Sequence, residues 1–334
     1  MLVSGTLLGI HSVCWGAEQQ AALKNPYEVT VFKEGVSSFS YSKTIEFPVG
    51  FEKYKGHINY DGTAFFSIGK DGKAYVWNVE TGKSRLVDVA NVETGAFSPD
   101  GKTLLLGTLK NGAYVVNAST GKTIRQVTTK NQVWAVAYSA DGEKMATSGF
   151  SQVFIWYTAS GNLLLNIQKN PDWIKALALS SNGDKVVTGS HYGHTVIYDT
   201  QKNEKLRQLP NATRLVNGVL FESSIRSLAI SEDDRVLLVK SDDYVRLFDL
   251  QTGDLLLKKE KESKTGGWVA ALSPDGKTFL IGSTDGTTTL YDAGSGDELL
   301  VLEGNGEPLY SVGFSSDGST IFTQTPHTIT IWNT

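Results

Sequence analysis

Apolar and polar positions along this chain change places in short runs, with no sustained apolar stripe at helical spacing. The stretch from Trp268 to Glu303 shows the pattern most clearly. Ala270 to Leu272 is small and apolar and runs into Ser273-Pro274-Asp275-Gly276. Thr278 to Ile281 is apolar and is followed by Asp285-Gly286. Thr288 to Tyr291 alternates, Gly294 to Gly296 breaks it, and Leu299 to Leu302 completes the unit. Proline presets the second residue of a turn and glycine takes positive φ without steric cost, so each break holds residues suited to reversing the chain. Four short strands are predicted. A sheet with apolar residues on both faces cannot bury them alone and needs neighbours.

Those neighbours are repeats of the same unit. The turn recurs as Ser98-Pro99-Asp100-Gly101, Ser139-Ala140-Asp141-Gly142, Ser180-Ser181-Asn182-Gly183, Ser231-Glu232-Asp233-Asp234, and Ser315-Ser316-Asp317-Gly318. A degenerate first copy is Asn59-Tyr60-Asp61-Gly62. From Gly62 through Gly101, Gly142, Gly183, Asp234 and Gly276 to Gly318 the spacings are 39, 41, 41, 51, 42 and 42. A period near forty with four strands per unit predicts an all-β fold, a seven-bladed β-propeller of four-stranded antiparallel blades.

The third strands end Val76-Trp77-Asn78, Val115-Val116-Asn117, Ile155-Trp156-Tyr157, Ile197-Tyr198-Asp199, Leu247-Phe248-Asp249, Leu290-Tyr291-Asp292 and Ile331-Trp332-Asn333. This pattern resembles the WD-repeat family, whose third strand closes on Trp-Asp. No copy here has the literal pair, and Gly-His occurs ahead of a first strand only as Gly56-His57, out of register. The family's buried His–Asp–Ser/Thr–Trp network is therefore expected to be mostly absent. Quinoprotein-like propellers share the period and stand as the alternative. In WD-repeat propellers the N-terminal segment supplies the last outer strand, so the resemblance implies that Lys43 to Phe47 closes the ring. The chain divides into a leader-like segment at 1–17, a linker at 18–42 with an extra strand within Tyr27 to Phe32, and the propeller at 43–334.

Composition adds a few limits. A formal net charge of −4 over 334 residues argues against nucleic acid as a general partner. Cys14 is the one cysteine, so no intrachain disulfide forms. Leu2 to Ile10 is apolar, too short to span a bilayer and of the length of a signal-peptide core. No Lys or Arg precedes it. Cys14 after it resembles a bacterial lipoprotein cysteine, a lipidation candidate and membrane tether. The expectation is an exported bacterial protein, periplasmic or lipid-anchored, with the cytoplasm as the alternative.

Catalytic signatures are scarce. His191 and His194 lie close together without a Cys or acidic cluster in sequence, and zinc requires three or four converging ligands. There is no nucleophile elbow and no phosphate loop. Asp233-Asp234 and Asp242-Asp243 fall in turns. The turns Thr81-Gly82-Lys83, Thr120-Gly121-Lys122 and Thr252-Gly253-Asp254 lack the Trp of quinone-binding blades. No cofactor, metal or catalytic residue is expected.

One constellation stands out. The residue five before each turn serine, or its equivalent, is Tyr54, Glu93, Trp134, Lys175, Arg226, Trp268 and Tyr310. Symmetry makes these seven equivalent, a ring at the start of the innermost strands beside the channel mouth. Trp, Tyr and Arg are enriched at binding hot spots, and Lys175 and Arg226 beside Trp134 and Trp268 suit an acidic or aromatic group. The competing expectation is that the aromatics wedge between blades as packing. Pro210 to Phe221 is the one sizeable insertion, on a loop at one face. The reading is a monomeric, non-catalytic propeller scaffold for a protein or peptide. The alternative is a propeller enzyme, a hydrolase, lyase or quinoprotein-type dehydrogenase, using the channel.

Overall fold

The computed structural model describes residues 29–31, 39–46, 56–127, 132–168, 172–260 and 269–333. Blade 3 shows how the sequence builds a unit. Its strands are Ala135–Tyr138, Lys144–Gly149, Gln152–Tyr157 and Leu163–Ile167, paired antiparallel in that order. Successive side chains point to opposite faces. Met145 and Trp156 accordingly pack with Leu105 and Val115 of blade 2, while Ala146 and Ile155 pack with Ile174 and Val186 of blade 4. Both faces are buried, as the doubly apolar strands require.

Seven such sheets follow one another, from Gly56–Ile58, the first strand of blade 1, to Ser311–Phe314, the first of blade 7. Each innermost strand contacts the next, and that of blade 7 returns to that of blade 1. Seven apolar clusters fill the gaps, one at each interface between blades. The ring is continuous.

Its closure is by strand pairing. Ser40–Glu46 lies antiparallel on Thr328–Asn333, with Lys43 opposite Ile331 and Ile45 opposite Ile329. This strand begins earlier than the expected Lys43, and Phe47 lies outside the described residues. Lys43 also donates to the carbonyls of Val79 (2.7 Å) and Glu80 (2.5 Å) in blade 1. Val29–Val31 adds a fifth strand to the outside of blade 6, Val29 facing Leu302 and Val31 facing Leu300.

The repeated turn works by one device. Ser98 Oγ donates to Asp100 Oδ1 (2.6 Å) and accepts the Thr103 amide (3.0 Å), while Asp100 Oδ1 accepts the Lys102 amide (3.1 Å). Gly101 takes φ 67°, which glycine adopts without penalty. In blade 5 Asp234 holds that position at φ 56°, and its carboxylate reaches across to blade 4, accepting the Ser181 amide (2.8 Å) and hydroxyl (2.6 Å).

The insertion after blade 4 is a hairpin, Thr213–Val216 paired with Val219–Glu222 around Asn217-Gly218. Both turn residues have positive φ, the geometry that tight hairpins prefer. Its root is pinned: Ala212 donates to the Gly193 carbonyl and Ser223 to that of Ala212.

Candidate functional site

The connections entering the innermost strands and the turns between second and third strands meet at one end of each blade. Ile174 donates its amide to the Phe150 carbonyl (2.7 Å), and His191 donates to the Trp173 carbonyl (2.9 Å). These backbone bonds bring Trp134 and Phe150 of blade 3 against Trp173, Lys175, His191 and Tyr192 of blade 4. Trp134 lies 4.8 Å from Phe150 and 5.7 Å from Trp173 between ring centroids, and Trp173 stacks on His191 at 5.8 Å. The Lys175 ammonium rests 3.6 Å from the centre of the Trp134 ring, a cation–π contact.

These rings remain partly in water. Trp173 is 45% exposed, Tyr192 44% and Phe150 37%. Phe150 also stands at φ 42°, a region bulky side chains rarely occupy and one that costs about 1–2 kcal/mol. The turn therefore holds an aromatic ring outward against both solvation and backbone preference.

Of the seven residues expected around the mouth, Tyr54 and Trp268 lie outside the described residues. Arg226 is exposed, and Glu93, Trp134, Lys175 and Tyr310 are half-buried. Burial holds the Lys175 ammonium below the usual lysine range, Glu93 opposes that shift and Arg226 adds to it. The ring positions of blades 2 and 5 are thus both within electrostatic reach of the one in blade 4. Arg226 presents its Nε and Nη2 edge to Asp242, at 2.7 and 3.1 Å.

The same end carries contacts that sequence reading passed over. Asp172 Oδ2 accepts the Ser190 hydroxyl (2.7 Å) and meets His194 Nδ1. In blade 5 Ser223 donates to Asp243 (2.6 Å), and in blade 7 Glu307 pairs with His327 Nδ1 (2.8 Å). Each links the entry loop of a blade to its own second turn. Indole to hydroxyl bonds persist as Trp77 to Ser67 (2.8 Å), Trp156 to Thr147 (3.1 Å) and Trp332 to Thr323 (3.4 Å). More of the polar network is present than the sequence led one to expect. Superposing the units would have revealed it, since the entry-loop positions 172, 223 and 307 all lie three before a ring residue.

Among the described residues no three His, Cys, Asp or Glu side chains converge as metal ligands. A groove of about 420 Å³ opens at the opposite end, between blades 1 and 2, lined by Tyr60, Asp61, Asp100, Lys102 and Asn117. Asp61 and Asp100 there already serve their own turns.

Residues 259–292, reaching through the third strand of blade 6, match the family model for the WD domain, G-beta repeat. The chain is a WD-repeat-like seven-bladed propeller. It is 24% identical over 224 residues to the serine-threonine kinase receptor-associated protein of Dictyostelium discoideum, covering 57% of this chain and 75% of that protein. To autophagy-related protein 16 of Arabidopsis thaliana it is 21% identical over 271 residues, 78% of this chain but 51% of the relative. To eukaryotic translation initiation factor 3 subunit I of Brugia malayi it is 25% identical over 242 residues, 67% and 71% of the two chains.

These relatives correct the expected location. All three are eukaryotic proteins, and a bacterial protein that is exported, periplasmic or lipid-anchored does not fit their company; the cytoplasmic alternative does. The expectation rests on the apolar run Leu2 to Ile10 and on Cys14, and an apolar run of that length is not specific to export. Cys14 lies outside the described residues.

Proposed function

We propose that this propeller is a non-catalytic scaffold, and that the aromatic patch shared by blades 3 and 4 is its contact surface for a protein or peptide. The observation behind this is the packing of Trp134, Phe150 and Trp173 into one group that stays substantially in water. A soluble protein gains nothing from such a patch, and large aromatics next to a cation are what a partner buries at a hot spot. Lys175 and Arg226 add polarity at its inner border. The names of the relatives denote a receptor-associated protein, an autophagy-related protein and a factor subunit, in keeping with binding rather than catalysis at this distant identity.

The test is a pair of variants, Trp173→Ala and Phe150→Ala, compared with wild type in quantitative capture from the native host. Because both rings are exposed, melting temperature should change little. Affinity for the captured partner should fall by about 2 kcal/mol or more for a true hot spot. An unchanged set of captured proteins in both variants would remove the patch from consideration.

A further inference from the structure

Arg246 lies in the third strand of blade 5, Tyr244–Asp249, with 6% of its surface exposed. Its cross-strand neighbour Val239 belongs to the apolar cluster between blades 4 and 5. Nη1 donates to the Pro210 carbonyl (3.0 Å), and the guanidinium carbon sits 5.3 Å from the Phe248 ring. Nε and Nη2 have no hydrogen-bond partner among the described residues. Arginine does not shed its proton in proteins, so this buried charge cannot be relieved by neutralisation. A buried cation without a counter-charge is costly.

Two more buried groups have no hydrogen-bond partner among the described residues, Thr195 Oγ1 and Ser224 Oγ. Both border the same piece of chain. Leu209 donates to the Thr195 carbonyl, and Ser223, adjacent to Ser224, donates to that of Ala212. Residues 209–212 are the root of the inserted hairpin.

Nε and Nη2 form one edge of the guanidinium, the edge by which Arg226 holds both oxygens of Asp242. Such an edge matches a two-oxygen anion. We infer that Arg246 anchors a binding site for a small oxyanion, of the carboxylate or phosphate class, between blades 4 and 5 beneath the hairpin root. With so little of Arg246 exposed, the ligand is a small free ion rather than an acidic side chain carried by another polypeptide.

The experiment titrates phosphate and acetate against chloride at fixed ionic strength, following melting temperature and binding heat. It compares wild type with Arg246→Met, and with Arg235→Met as a surface charge-loss control. Wild type and the control should show a saturable rise in melting temperature that Arg246→Met loses. In chloride alone Arg246→Met should melt at or above wild type, since apolar replacement of an uncompensated buried charge is often neutral or stabilising. Equal responses in wild type and Arg246→Met, or none in either, overturn the proposal. Should Arg246→Met fail to fold, the Arg246 Nε–H resonance of wild type decides: a saturable displacement by phosphate supports the site, and an unmoved signal refutes it.

Discussion

At the scale of single residues, the repeated turn makes stability depend on acid. The Ser98 hydroxyl holds the Asp100 carboxyl below the usual range, against the effect of burial, and the Thr63 hydroxyl does the same for Asp61. A carboxylate depressed in the folded state contributes stability that is present above its unfolded pKa and lost as pH falls through the folded one. Denaturant unfolding should therefore show constant stability near neutrality and a steep decline below the ordinary carboxylate range. Ser98→Ala should cost about 1 kcal/mol at pH 7 and soften the decline, because the hydroxyl that favours the charged form is gone. This device was legible because its bonds span two to five residues. The contact of Asp172 with His194 spans 22. It also puts the acid on the entry loop and the histidine on the turn, so a search for histidine ahead of the first strand passes over it.

At the scale of elements, outer strands fasten each blade to the next. Arg125 donates to the carbonyls of Thr158 (2.9 Å) and Ala159 (3.0 Å) in blade 3, as Lys43 does to blade 1. Arg207 lies along blade 5 so closely that a Cβ on Gly253 would meet its Cδ at 2.3 Å. Arg125, Arg207 and Lys43 stand opposite Val115, Ile197 and Ile331, the same register position in three blades. Arg125→Met should lower stability by about 1.5–3 kcal/mol, the range for hydrogen bonds from a charged donor, as read from chemical denaturation. Removing residues 1–46 strips the outer strand from Thr328–Asn333 and should yield aggregates on size-exclusion chromatography. Removing 1–28, ahead of both N-terminal strands, should leave a monodisperse protein. The period announced the blades, and the resemblance to WD-repeat propellers announced the closing strand. It did not announce the aromatic patch, because Phe150, Trp173 and Tyr192 occupy loop positions that the other units fill differently, and repetition carries no information where units diverge.

At the scale of the molecule, each apolar cluster belongs to two blades, so no blade owns a core. Leu106, fully buried between blades 1 and 2, illustrates this. Leu106→Ala should cost about 2–5 kcal/mol and lower a single calorimetric transition, rather than split off one blade as a separate event. The closing pair has a further consequence for how the chain is made. Ser40–Glu46 leaves the ribosome long before Thr328–Asn333. At typical synthesis rates the first of these strands waits roughly 15–60 s for its mate. Through that interval the early segment must stay unattached while the intervening blades assemble beside it. A message truncated ahead of residue 328 would release a nearly finished wheel with two raw rims, which makes translation pausing late in the transcript a hazard particular to this architecture.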